Sequence, residues 1–175
     1  MKAFVLAEPG KVKWFDAPEP QLVPYGAILK PVAVTPCSSD VHTVFGGGSK
    51  KQDNLVLGHE CIAEVVSVGE NVCDFKTGDR VAVPAITPDW REKSIQEGND
   101  RHASAPFSGH QLGRTQPGVF SERFLIKDAD TTLAHIPQKI SEEQALMSVD
   151  VVTTGFTGAE YADIKIGDTV CVIGI

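Results

Sequence analysis

The sequence predicts a mainly β fold with short helices, and three observations carry that expectation. Short apolar runs recur along the chain, separated by Gly, Pro and Asp turns. The clearest helix signal begins only at Ser141, late in the chain. The last residues, Thr169 to Gly174, read as a buried strand of the parallel type. Repeated short strands with tight turns point to a compact, barrel-like β domain.

In order, Phe4-Val5-Leu6 and Lys11-Val12-Lys13-Trp14 flank Pro9-Gly10 and predict an N-terminal hairpin. Pro18, Pro20 and Pro24 make the next stretch extended. Ala27 to Val34 reads as a strand whose Pro31 lacks a ladder donor, so it requires a sheet edge or a bulge there. Ile62 to Val68 and Arg80 to Val83 are strand-like, the second preceded by a Gly78-Asp79 turn and stopped by Pro84. Residues 87 to 118 are polar and poor in strand pattern, the mark of a functional or mobile loop. His102 and His110 fall in it and read first as solvated. Strand character resumes from Gly118 to Ile126.

Ser141 with Gln144 matches a capping box, and Glu142 and Glu143 suit the positive end of a helix dipole. Ala145, Leu146, Val149 and Val152 continue the helical spacing, which places Asp150 inside or at the edge of an apolar face. A carboxylate there needs a hydrogen-bond partner, an ion pair or a cation. Ile164 to Asp168 reads as a turn and Thr169 to Gly174 as a buried strand, with Gly174 where a GxGxxG fingerprint would begin.

Bulk properties exclude several classes of function. A net charge of −7 and no basic cluster argue against nucleic acid. No apolar run approaches the ~18 residues of a membrane span, and the N-terminus leaves no room for a signal-peptide core. Cys37, Cys61, Cys73 and Cys171 form no CxxC pair, as expected of a cytoplasmic protein with mostly inert thiols. A chain of 175 residues buries enough surface to need no disulfides.

Chemistry concentrates at Cys37 and at Gly58-His59-Glu60, which together offer a thiolate, an imidazole and a carboxylate, the groups Zn²⁺ prefers. A lone Cys or His is ordinarily a structural residue, and their spacing is not that of a zinc finger. The surrounding motifs decide the matter. Gly58-His59-Glu60 ending at Gly69, Pro36 to Phe45 (PCSSDVHTVF), Val83 to Arg91 (VPAITPDWR), and Asp150 followed by Thr153-Thr154-Gly155-Phe156 resemble the zinc-dependent medium-chain alcohol dehydrogenase family. Within it they are most similar to the NADP-dependent secondary-alcohol dehydrogenases of bacteria and protists. Ala63 stands where the family's zinc segment has its middle glycine.

The resemblance covers essentially the whole chain. It implies a GroES-like catalytic domain over residues 1–150, followed over 151–175 by the first strand of an incomplete Rossmann domain. It implies one catalytic zinc on Cys37, His59 and Asp150, with Glu60 a nearby carboxylate that ligates in some states. Ser39 and His42 would relay the proton to solvent, and Thr154 and Gly174 would lie at the NADP site. Ala85 and Ile86 would line the pocket, where His110 replaces a bulky aromatic. The polar 87–118 segment contains no cysteine, so no structural zinc is expected.

The implied function is reversible oxidation of small secondary alcohols to ketones with NADP, in a cytoplasmic homotetramer with no nucleic-acid or membrane partner. The 175 residues alone, lacking most of a Rossmann domain, are expected to be inactive. A non-catalytic GroES-like module that binds metal or a partner stays open as the alternative. A zinc-free quinone reductase relative is opposed by Cys37, His59 and Asp150 together.

Overall fold

The computed structural model describes residues 1–46, 54–87, 92–97 and 110–173. His102 and Gly174, and the side chain of His110, lie outside the described residues. The N-terminal hairpin forms as expected from β1 (Lys2–Glu8) and β2 (Lys11–Asp16), turning at Gly10 with φ 75°. Strand β4 (Leu55–Val56) pairs with the other edge of β1 to give a three-stranded sheet in the order β2-β1-β4.

The main sheet has five strands in the order β10-β6-β5-β3-β9. They are β3 (Ala27–Thr35), β5 (Glu60–Val68), β6 (Arg80–Val83), β9 (Phe124–Ile126) and β10 (Ala134–His135). Both options that Pro31 demanded are met. Strand β9 pairs only with Ala27 to Leu29, leaving the rest of that side of β3 open, and the β3–β5 register shifts between Pro31 and Ala33. Ala63 sits in regular β5, paired with Val81, where extended backbone has no need of glycine. The strand expected over 118–126 is shortened to β9. Gly118 to Phe120 instead give their N–H groups to Val56, Gly58 and Leu57 carbonyls across the chain.

A two-stranded ladder of β7 (Ile86–Thr87) and β8 (His110–Gln111) closes the base of the long polar segment, which also carries the one-turn helix α2 (Lys93–Gln96). Helix α1 (Ser38–Phe45) follows β3 directly. The short helix α3 (Ala129–Thr132) follows β9, and α4 (Glu142–Ser148) and α5 (Val151–Tyr161) complete the described chain. The principal core lies on β3, β5, β6 and β9, with Leu29, Val65, Val81, Val83 and Ile126 fully buried. Phe120 packs against this core and against the smaller cluster of Leu6, Val44, Leu55 and Leu57.

Two sequence expectations fail near the C-terminus. The capping box of Ser141 and Gln144 forms, but the helix breaks at Asp150, and α5 begins anew behind it. Of the anticipated apolar face only Ala145 is buried. Residues 169–173 form no strand: the Lys165–Asp168 turn is present, but Val170, Val172 and Ile173 are exposed. A parallel strand is held by neighbours on its flanks, and none lies there among the described residues.

Gly58 is required by the backbone. Its φ is +88°, and a Cβ there would lie 2.4 Å from the Phe120 ring. Gly58→Ala is expected to cost about 2 kcal/mol or more, read as a lower urea midpoint with an unchanged slope. An unchanged midpoint would show that the loop before β5 is adaptable.

Candidate metal centre

Strand β3 delivers Cys37 to the N-cap of α1, where its backbone is extended at ψ 157°. Ser39 therefore lies inside the first turn and does not cap the helix, which starts at Ser38. The residue that organises this turn is Asp40. Its Oδ2 accepts the Cys37 N–H at 3.0 Å, and its Oδ1 accepts the Gly58 N–H at 3.1 Å. The same Oδ1 lies 3.5 Å from His59 Nδ1. One buried carboxylate thus joins α1 to the loop entering β5.

That connection brings four metal-ligating groups together. One donor atom each from Cys37, His59, Glu60 and Asp150 lies within 4.8 Å of all the others. His59 Nε2 is 3.5 Å from Asp150 Oδ2, 4.0 Å from Glu60 Oε1 and 3.3 Å from Ser39 Oγ. A tetrahedral ion with bonds of about 2.0–2.3 Å needs donors roughly 3.5 Å apart, so modest side-chain movement would close the set on zinc. Glu60 Oε2 is buried without a hydrogen-bond partner, the condition a cation relieves. Among the described residues this is the one such cluster.

The electrostatics agree with a cation site. Burial opposes charge on His59, yet hydrogen bonds to Asp150 and Asp40 hold its pKa up to about 10. The Asp150 carboxyl is held below its ordinary range, first by its hydrogen bond from His59. Burial raises the Cys37 thiol, but hydrogen bonds involving Ser39 and His59 outweigh it and lower the pKa overall. Burial, helped by the charge of Asp150, pushes Glu60 up. The proton on His59 offsets part of the negative charge that a metal would neutralise in its place.

The structure therefore collects Cys37, Ser39, His59, Glu60 and Asp150. It leaves His42 exposed, one helical turn beyond Ser39, with no side-chain hydrogen bond among the described residues. Thr154 sits on exposed α5, and its hydroxyl donates to Asp150 Oδ1 at 2.8 Å. Asp150 is the N-cap residue of α5 and projects its carboxylate from a break, not from a continuous helix face. Sequence reasoning missed Asp40. The signal was available: an acid three residues after a candidate ligand, at the third position of a helix. Arg114 was missed as well; it lines the cleft beside His59 and Asp150, with Ala85, Ile86 and Leu112 as apolar wall.

Comparison with known proteins adds a family frame. Residues 24–138 match a family described as the alcohol dehydrogenase GroES-like domain. The NADP-dependent isopropanol dehydrogenase of Thermoanaerobacter brockii is 50% identical over all of this chain, which covers 50% of that protein. The Entamoeba histolytica protein of the same name is 45% identical, again over the whole chain and 48% of the relative. The chain thus spans about half the length of the curated relatives it matches. Among solved structures, an alcohol dehydrogenase from Thermus sp. ATN1 aligns with a TM-score of 0.85 over 96% of this chain and 49% of its own. At 24% identity it supports the fold alone.

Two outcomes are expected at this centre. Asp40→Asn should weaken zinc binding by about 10–100-fold in chelator competition; unchanged affinity would remove its orienting role. In the metal-free chain His59 should remain charged at pH 8 by NMR, with its pKa lowered in Asp150→Asn. Because the folded pKa is raised, the stability it contributes is full below about pH 6.5 and is lost as pH rises through about 10. Titration of His59 near 6.5 would contradict this.

Proposed function

Because the chain belongs to the alcohol dehydrogenase GroES-like domain family, we propose that it is the zinc-holding catalytic part of an NADP-dependent secondary-alcohol dehydrogenase. The observation that carries the reading is the convergence of Cys37, His59, Glu60 and Asp150, of which His59 and Asp150 line a cleft walled by Ala85, Ile86 and Leu112. The names of its relatives as isopropanol dehydrogenases support the substrate class and the cofactor.

Cys37, His59 and Asp150 would hold the zinc, with Glu60 available as a fourth donor. When bound, the metal polarises a substrate oxygen and the nicotinamide exchanges the hydride. The remaining tasks fall to this chain. Ala85, Ile86 and Leu112 give the cleft an apolar wall that takes the substrate's alkyl groups. Ser39 Oγ stands beside the donor set and receives the hydroxyl proton; exposed His42, one turn along α1, passes it to solvent. Thr154 fixes the Asp150 carboxylate from the side of α5.

A division at Asp150 into a GroES-like unit and the start of a nucleotide-binding unit is supported by α5, which buries none of its residues. One zinc per chain is supported by the single donor cluster among the described residues. The four free cysteines suit a cytoplasmic location, and homotetramer assembly is the family expectation. Among the described residues no helix is long and apolar enough to cross a membrane.

Metal analysis is expected to give one zinc per chain and its loss in Cys37→Ala, His59→Ala and Asp150→Ala. In the full protein, each loss should abolish NADP-linked oxidation of 2-propanol. Full zinc content in Asp150→Ala would refute the ligand set.

A further inference from the structure

We infer that Arg114 is an anion-recognising residue of the same cleft and selects substrates bearing a carboxylate close to the reacting carbon, that is, small keto acids and hydroxy acids. The inference rests on the dehydrogenase reading above and narrows its substrate class. Neutral alcohols such as 2-propanol give a guanidinium nothing to bind.

The cleft has a volume of about 150 Å³ and is lined by Ser39, His59, Asp150, the apolar residues Ala85, Ile86 and Leu112, and Arg114. That is the room of about five liquid waters, enough for a short substrate whose two ends meet different walls. Its carbonyl end would face the donor set, and its other end would reach the wall that Arg114 lines. A planar guanidinium matches a carboxylate with two parallel hydrogen bonds.

The backbone carrying Arg114 is fixed in place. Leu112 N–H donates to the Ala85 carbonyl at 3.3 Å, tying the turn to the bend before β7, which walls the cleft. Gly113 N–H donates to the Gln116 carbonyl at 3.0 Å, and the buried Gln116 amide donates to Thr87 Oγ1 at 3.1 Å. Gly113 has φ 71°, and a Cβ there would lie 3.1 Å from the Gly58 backbone. The turn therefore rests on the residue preceding His59, which sets where the Arg114 backbone lies relative to the donor set.

The charge is unspent. Arg114 is exposed at the cleft, and among the described residues it has no ion pair and no side-chain hydrogen bond. The other titratable groups lining the cleft are His59 and Asp150. With zinc present, the Cys37 thiolate and the Asp150 carboxylate offset its two charges, so neither is left to neutralise the guanidinium. In turnover the carbonyl carbon would gain a hydride from NADPH and its oxygen a proton, while the carboxylate stays unchanged on Arg114.

The test compares acetoacetate with 2-pentanone, a neutral ketone of similar length, in the zinc-loaded full protein supplied with NADPH. The ratio of their kcat/KM values should fall roughly ten-fold in Arg114→Gln and recover in part in Arg114→Lys. With cobalt(II) in place of zinc, the acetoacetate concentration that half-perturbs the visible band should rise by a similar factor. An unchanged ratio with an intact cobalt spectrum overturns the inference alone, including the case where Arg114→Gln only raises the KM for NADPH. Absence of the cobalt band, or of turnover with either probe, overturns the metal-site reading and this inference with it.

Discussion

Three donors meet on the carboxylate of Asp40, and the site depends on that meeting. The Cys37 N–H lies at the start of α1, the Gly58 N–H lies before β5, and His59 Nδ1 belongs to the first of the candidate ligands on the second element. Gly58 and His59 are buried and Cys37 is half-buried, so the two buried donors at least would be unmet without the carboxylate. The arrangement also assigns the imidazole. With Nδ1 turned to Asp40, Nε2 faces Ser39, Glu60 and Asp150, which is the nitrogen a metal would take.

Packing supports what Asp40 connects. Gly58 lets the Phe120 ring lie where a side chain would stand, and Gly113 presses its backbone on the other side of the same residue. Phe120 in turn touches both the main core and the cluster beneath β1, β4 and α1. The position of His59 is therefore fixed by the meeting of two cores, not by its own loop. Substitutions at Phe120 or Gly113 would be felt at the metal centre although neither residue offers a ligand.

What the sequence disclosed followed from local chemistry. The Pro9-Gly10 hairpin, the disturbed β3 at Pro31 and the Ser141 capping box are each determined by residues near in the chain, and all three are present. The four clustered donor residues were legible because a thiol, an imidazole and two carboxylates sit in recognisable motifs. Asp40 and Arg114 were harder to read, since Asp40 acts through Gly58 and Arg114 reaches the cleft through a turn tied by Leu112 to Ala85, both far away in sequence. The 169–173 run misled for a related reason: a strand's periodicity is local, but its formation requires a neighbour.

The break at Asp150 then acquires a purpose. Cys37 and His59 belong to the buried scaffold tied by Asp40, whereas α5 buries no residue and α4 buries Ala145 alone. Asp150 joins these two helices with a non-helical backbone, φ −142° and ψ −63°, and its carboxylate is steadied by Thr154 and by His59. It is thus the candidate ligand least restrained by packing. A zinc ion shared by Cys37, His59 and Asp150 would supply the missing restraint, fixing the start of α5 against the β domain. Metal binding would then serve structure as well as chemistry, because it would hold the otherwise unpacked α5 in one orientation.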